Sequence, residues 1–119
     1  MASTCDLTEQ VRQAIKFRDE RDWGQFHRPK ELAAGLAIEC AELQEVFLWH
    51  EGETVADLHK DKERMLKIRE ELGDVTIFLL LLANDMGIDL PKAVTAKLVS
   101  NANRYPVEQY RGSATKAPH

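Results

Sequence analysis

Two cysteines, Cys5 and Cys40, are all that this 119-residue sequence offers for cross-linking, and neither sits in a pairing pattern or at metal-ligand spacing. A disulfide framework and a thiolate metal site are therefore excluded, and both thiols are expected to stay reduced. No stretch approaches eighteen uninterrupted apolar residues, and Met1 to Leu7 lacks a basic segment followed by an apolar run. The sequence thus predicts neither a membrane span nor a signal peptide, and a cytosolic (cytoplasmic) protein. A surplus of positive charge is also missing: 16 Lys and Arg stand against 20 Asp and Glu, for a net charge of -4 and a pI near 5.6. A general binder of nucleic-acid polymers needs the opposite balance to displace counterions from phosphates. A small anionic ligand can still be met through a bound cation. Finally, no strand pattern, repeat or low-complexity tract is present.

What the chain does have is the composition of a folded protein, 44% hydrophobic and 30% charged. Disordered chains lack the apolar residues that offset the entropy of ordering. Its length suits one domain with one core, expected to be ordered over about residues 8–106, with 107–119 a polar, flexible tail.

The pattern is helical throughout. Val11, Ile15 and Phe17 give a weak apolar face from about Thr8 to Arg21. The segment Asp22 to Arg28 breaks it with Trp23, Gly24, Phe26 and His27, and Pro29 can open a new helix without losing a hydrogen bond. From Pro29 to about His50, Leu32, Leu36, Cys40, Leu43 and Phe47 recur at steps of three or four. Gly52 ends that run, and a connector follows with room for a short turn at Thr54 to Leu58. A long helix is expected over Lys60 to Met86, with Met65, Ile68, Leu72, Val75, Leu79 and Leu82 in register. Gly73 within it costs about 1 kcal/mol relative to alanine, which points to close packing or a local site. Asp89 and Pro91 start a last helix to about Asn103, with Val94, Leu98 and Val99 on its apolar side. Between Val75 and Ala83 nearly every residue is apolar, so this stretch must be surrounded, either centrally in a monomer or, as favoured here, in a dimer that pools its helices. The fold class is all-α: a four- to five-helix antiparallel bundle, assembled as a dimer or a dimer of dimers.

Acids lie beside the apolar rows. Glu39 and Glu42 are three residues apart, as are Glu71 and Asp74. Each pair projects from one side of a helical turn, and antiparallel packing makes all four converge. Carboxylates crowded together and partly removed from water either take up protons or hold a cation. All-oxygen ligation without His or Cys suits Mg²⁺, with Mn²⁺ as a substitute. Glu45 extends the first row, as an accessory ligand or base. The plain alternative is a solvated acidic face.

Several ordered motifs now resemble the MazG-like, all-α nucleoside triphosphate pyrophosphohydrolases, most closely the branch that includes the dCTP pyrophosphatases. Arg21-Asp22-Trp23-Gly24-Gln25-Phe26-His27-Arg28-Pro29 is similar to that branch's aromatic entry segment. Ile38-Glu39-Cys40-Ala41-Glu42-Leu43-Gln44-Glu45, through Phe47 and Trp49, is similar to its first acidic helix, and Glu70-Glu71-Leu72-Gly73-Asp74-Val75 to its second. Asp89-Leu90-Pro91 with Lys97, Asn101 and Arg104-Tyr105-Pro106 is similar to its closing helix.

The resemblance implies that Glu39, Glu42, Glu71 and Asp74 hold Mg²⁺, which would neutralise and orient a nucleoside triphosphate and activate water to release the monophosphate and pyrophosphate. Glu45 or Glu42 is then the candidate general base. Trp23 and Trp49 match positions that line the base pocket, with His27 a lesser base contact, and Lys97 and Asn101 match a phosphate-contacting pair followed by Arg104. Phe78 departs from the pattern, since an aromatic hydroxyl is common there in the dCTP branch. The substrate expected is a pyrimidine deoxynucleotide such as dCTP or a modified analogue. A dUTP or phosphoribosyl-ATP pyrophosphohydrolase is the enzymatic alternative, and a non-catalytic helical interaction module the other. A site completed by a homodimer or homotetramer is also implied.

Overall fold

The computed structural model describes residues 6–118, so Cys5 and the N-terminal arm lie outside the described residues. All regular structure among them is helical. The chain forms two compact units, residues 6–86 and 87–118.

In the first unit, helix α1 spans Thr8–Glu20. Asp22 then adopts a left-handed backbone (φ 52°), which turns the chain into a short 3₁₀ segment, Trp23–Gln25. The Gln25 amide donates to both the Asp22 carbonyl and carboxylate, holding that turn. Pro29 occupies the first turn of α2, Pro29–Phe47, where its fixed φ suits the helix and its missing N–H is no loss. Leu48 is extended and Trp49 left-handed (φ 70°), so α2 stops at Phe47, short of the expected His50.

The connector holds more than a turn. Helix α3, Val55–Lys60, carries a reciprocal cap: the Asp57 N–H donates to Thr54 Oγ1 and the Thr54 N–H to the Asp57 carboxylate. Asp61 ends α3 and caps α4, Lys62–Asp85, by accepting from the Arg64 N–H. This shared cap moves the start of α4 two residues beyond the expected Lys60.

Helices α2 and α4 run antiparallel: Gly35 meets Phe78, Glu39 lies with Glu71, and the Val46 carbonyl accepts from Arg64. Helix α1 also packs on α4, secured at its end by Arg18, whose guanidinium bonds both Asp85 oxygens at 2.8 and 3.2 Å. On α4 the face turned inward is Met65, Ile68, Glu71, Val75, Phe78 and Leu82, all buried or half-buried. Leu72 and Leu79, expected on that stripe, are exposed instead, and Glu71 and Phe78 take their places. On α2 Leu32 is fully buried and Leu36 and Leu43 half-buried, whereas Cys40 and Phe47 are exposed, against expectation. Of the apolar stretch after Val75, only Leu80, Leu81 and Ala83 are buried.

Gly73 has no neighbour within 4 Å of a built Cβ, so close packing within the chain does not explain it. It lines an open groove with Leu7, Leu72, Thr76, Ile77 and Leu80.

In the second unit α5, Leu90–Arg104, starts from an Asp89 cap that accepts from the Lys92 N–H, with Pro91 in its first turn. Beyond Pro106, where the sequence shows only a polar tail, a helical turn α6 forms at Val107–Tyr110. Tyr105 and Tyr110 meet edge to face, with ring centroids 4.9 Å apart. The chain then returns: the Ala117 N–H donates to the Tyr105 hydroxyl and Arg104 to the Ala117 carbonyl.

Candidate metal centre

Antiparallel packing of α2 on α4 brings Glu39, Glu42 and Glu71 together, with one carboxylate oxygen from each within 4.8 Å of the others. Glu71 is 5% exposed and occupies a core position, carried there by the same helical period that buries Ile68 and Val75. One oxygen of Glu39 and one of Glu71 are buried with no hydrogen-bond partner. Unpaired buried carboxylate oxygens are costly, so the cluster asks for a proton or a cation. Glu39 responds by binding its proton more tightly, its pKa raised to about 7. Removal from water is the first cause, followed by Glu42, which can accept its proton and adds a like charge, then the Asp74 charge and Glu71. Three carboxylates with unused oxygens and no nitrogen or sulfur donor fit a hard divalent cation.

Asp74, the fourth expected ligand, is exposed and stands outside that group of three, though its charge is felt at Glu39. Glu45, one turn beyond Glu42, lines a cleft of about 680 Å³ with Glu42, Val46, Arg64, Lys67 and Glu71. The cleft lies between the end of α2 and the start of α4. Arg64 braces it, donating to the Val46 carbonyl at 2.8 Å and gripping Glu53 with two nitrogens. That bond lowers the pKa of the Glu53 carboxyl.

On the other side of the acids an aromatic series leads inward. Phe17 meets Trp23 edge to face at 5.7 Å, Trp23 lies 6.2 Å from His27, and His27 lies 6.3 Å from Phe78. Arg21 stacks on the Phe17 ring at 3.6 Å. His27 is half-buried, and its Nδ1 is buried without a partner. The structure therefore joins Trp23, His27 and Phe78, and leaves Phe26 exposed. It does not cover Trp49, which is 94% exposed beyond the end of α2.

Lys97, Asn101 and Arg104 all lie on α5 in the second unit, the first exposed and the others half-buried. Arg104 serves the C-terminal return through Ala117 and lies 5.5 Å from the Tyr105 ring centroid.

Two structural residues escaped the sequence reading. A Cβ on Gly35 would sit 2.5 Å from the Phe78 ring, so glycine is what lets the aromatic side chain lie across α2. Its spacing, one turn before Glu39, was the available signal. Arg64 showed none, because its partners Val46 and Glu53 are distant in sequence.

A family model described as the MazG-like family matches residues 35–118. Among curated proteins, dCTP pyrophosphatase 1 of Rattus norvegicus is 45% identical over 102 residues, covering 85% of this chain and 59% of that protein. The Homo sapiens dCTP pyrophosphatase 1 is 42% identical over 108 residues, covering 87% of this chain and 63% of that protein. The chain thus spans only about 59% to 63% of these relatives' length. Among solved structures, a pyrophosphatase from Archaeoglobus fulgidus superposes with a TM-score of 0.71 at 33% identity, covering 89% of this chain and 98% of that one.

Proposed function

The chain belongs to the MazG-like family, and from that premise we propose that it is a divalent-cation-dependent nucleoside triphosphate pyrophosphohydrolase. It would convert a pyrimidine deoxynucleotide such as dCTP, or a modified analogue, to the monophosphate and pyrophosphate. The observation that carries this reading is the group formed by Glu39, Glu42 and Glu71, with its two buried, unpartnered oxygens.

These three carboxylates, with Asp74 one turn along α4 from Glu71, would hold Mg²⁺ or Mn²⁺. A bound divalent ion supplies charge neutralisation for the phosphates and acidifies water. Glu45 lines the adjoining cleft without belonging to the ligand group, which is the position a general base requires. Trp23 offers a flat face suited to stacking a base, with His27 beside it as a lesser proposed base contact. On the resemblance alone, Trp49 is carried as a further proposed base contact, and Lys97 and Asn101 as proposed phosphate contacts.

The exposed apolar residues of α4, Leu72, Ile77 and Leu79, support a homodimer or homotetramer as the working form. No helix among the described residues is long and apolar enough to cross a membrane, in keeping with a cytosolic enzyme.

The test is release of pyrophosphate and monophosphate from a panel of ribo-, deoxyribo- and base-modified triphosphates, including dUTP and phosphoribosyl-ATP, with Mg²⁺ and with chelator. Chelator-sensitive release, strongest with dCTP-like bases, is expected. No release from any member of the panel overturns the reading.

A further inference from the structure

The cleft beside the acids is lined by a cationic side chain to which the proposed reaction so far gives no task. Two side chains with lasting positive charge line it, Arg64 and Lys67, against five glutamates, Glu42, Glu45, Glu63, Glu70 and Glu71, so a phosphate can enter only where a cation meets it. Arg64 is committed: its terminal nitrogens bond Glu53 and the Val46 carbonyl, and its side chain is only 16% exposed. Lys67 is not. Its ammonium stands 3.7 Å from Glu71, one turn along α4, with the side chain 58% exposed against 7% for Glu71. The carboxylate is fixed in the core, while the lysine is free to swing.

The order of groups along α4 gives that freedom a direction. Phe78 belongs to the aromatic series, Glu71 to the acid group, and Lys67 to the cleft beyond. Eleven residues separate Phe78 from Lys67, about 16 Å along a helix, comparable with an extended nucleoside triphosphate. A nucleotide with its base at the aromatic end and its phosphates at the acids therefore directs its terminal phosphates into the cleft.

We propose that Lys67 binds the terminal phosphates of the nucleotide, the part released as pyrophosphate. This rests on the function proposed above. With a divalent ion held at Glu71 the Lys67 ammonium would lose its hold on that carboxylate, and phosphate oxygens in the cleft would offer it a more highly charged partner. The plain alternative is that Lys67 only screens Glu71.

Calorimetric titration of inorganic pyrophosphate into the full chain loaded with Mn²⁺ separates the two, with Mn²⁺ affinity measured alone by electron paramagnetic resonance. Lys67→Ala should weaken pyrophosphate binding about ten-fold or more, the scale of one charge-assisted hydrogen bond. Lys67→Arg should restore most of it, and Lys16→Ala on α1 should have no effect. Mn²⁺ affinity should be unchanged or higher in Lys67→Ala, since a like charge is removed. Equal pyrophosphate binding in Lys67→Ala, a loss that merely follows lost Mn²⁺ affinity, or no pyrophosphate binding by the unsubstituted protein each overturns the proposal. Failure of the broader function appears separately, as no pyrophosphate release from any triphosphate, and the titration still decides the role of Lys67.

Discussion

Gly35 and Phe78 face each other across α2 and α4 so closely that a Cβ on the glycine would lie 2.5 Å from the ring. The absent side chain on one helix is what admits the aromatic ring of the other, and that ring ends the series running in from Trp23 through His27. Gly35→Ala should therefore destabilise the protein by about 1–3 kcal/mol, the usual cost of overpacking, in spite of alanine's helix propensity. Gly73→Ala, with open space at the position, should gain about 0.5–1 kcal/mol. Urea unfolding of both variants checks the pair. A loss for Gly73→Ala would mean that a second surface, which the chain itself does not supply, sits in the groove beside it.

Substitutions in the acid group should separate activity from stability. Glu42→Gln and Glu71→Gln are expected to reduce turnover by about two orders of magnitude or more, as loss of a principal electrostatic contact does. The fold should survive or gain, since each change removes one repelling charge. Asp74→Asn, at the fourth proposed ligand, should also abolish turnover. Full activity in all three variants, measured at saturating Mg²⁺, would remove the metal assignment.

Protonation of Glu39 makes the metal-free protein pH-dependent. Its pKa is raised from 4.5 to about 7, so between those values the folded chain keeps a proton that the unfolded chain has lost. Stability from this group is present in full below about pH 4.5 and is lost as pH rises through about 7. Thermal unfolding with chelator should show that decline, and Glu39→Gln should flatten it. Mn²⁺ should bind more tightly as pH rises through the same range and displace a proton below it. Affinity that does not change with pH would contradict the assignment.

Trp49 gives an optical reading of the proposed substrate contact. In a Trp23→Phe background its emission should be that of a solvated indole, open to iodide quenching, because the ring is 94% exposed. A nucleotide added with Mg²⁺ should shield it. Quenching that is the same with and without nucleotide would remove Trp49 from the site.

Much of the helical plan was legible because it depends on local chemistry. Pro29 and Pro91 open helices at fixed φ, Asp89 caps α5, and apolar residues repeat at the helical period. The placing of Glu39 and Glu42 on one side of their turn was legible for the same reason, whereas the spacing that paired Glu71 with Asp74 did not show that Glu71 alone would join them. Where the reading erred, two local solutions were equally good. Leu72 and Leu79 fit the stripe of α4 as well as Glu71 and Phe78 do, and hydrophobicity argued for the leucines. The start of α4 depended on which role Asp61 would take, and it takes both.

By itself the sequence determined the helices, their antiparallel potential and the side of α2 that carries Glu39 and Glu42, since each follows from φ preferences, caps and period within a few residues. The rotation of α4 about its own axis was decided only by tertiary packing. Gly35 leaves a gap that the Phe78 ring fills, and that contact turns Glu71 into the core beside Glu39 and Glu42 and leaves the leucines outside. The exposed position of Trp49 and the Arg64 brace on Val46 and Glu53 arise in the same way, from residues distant in sequence that meet only when the helices close.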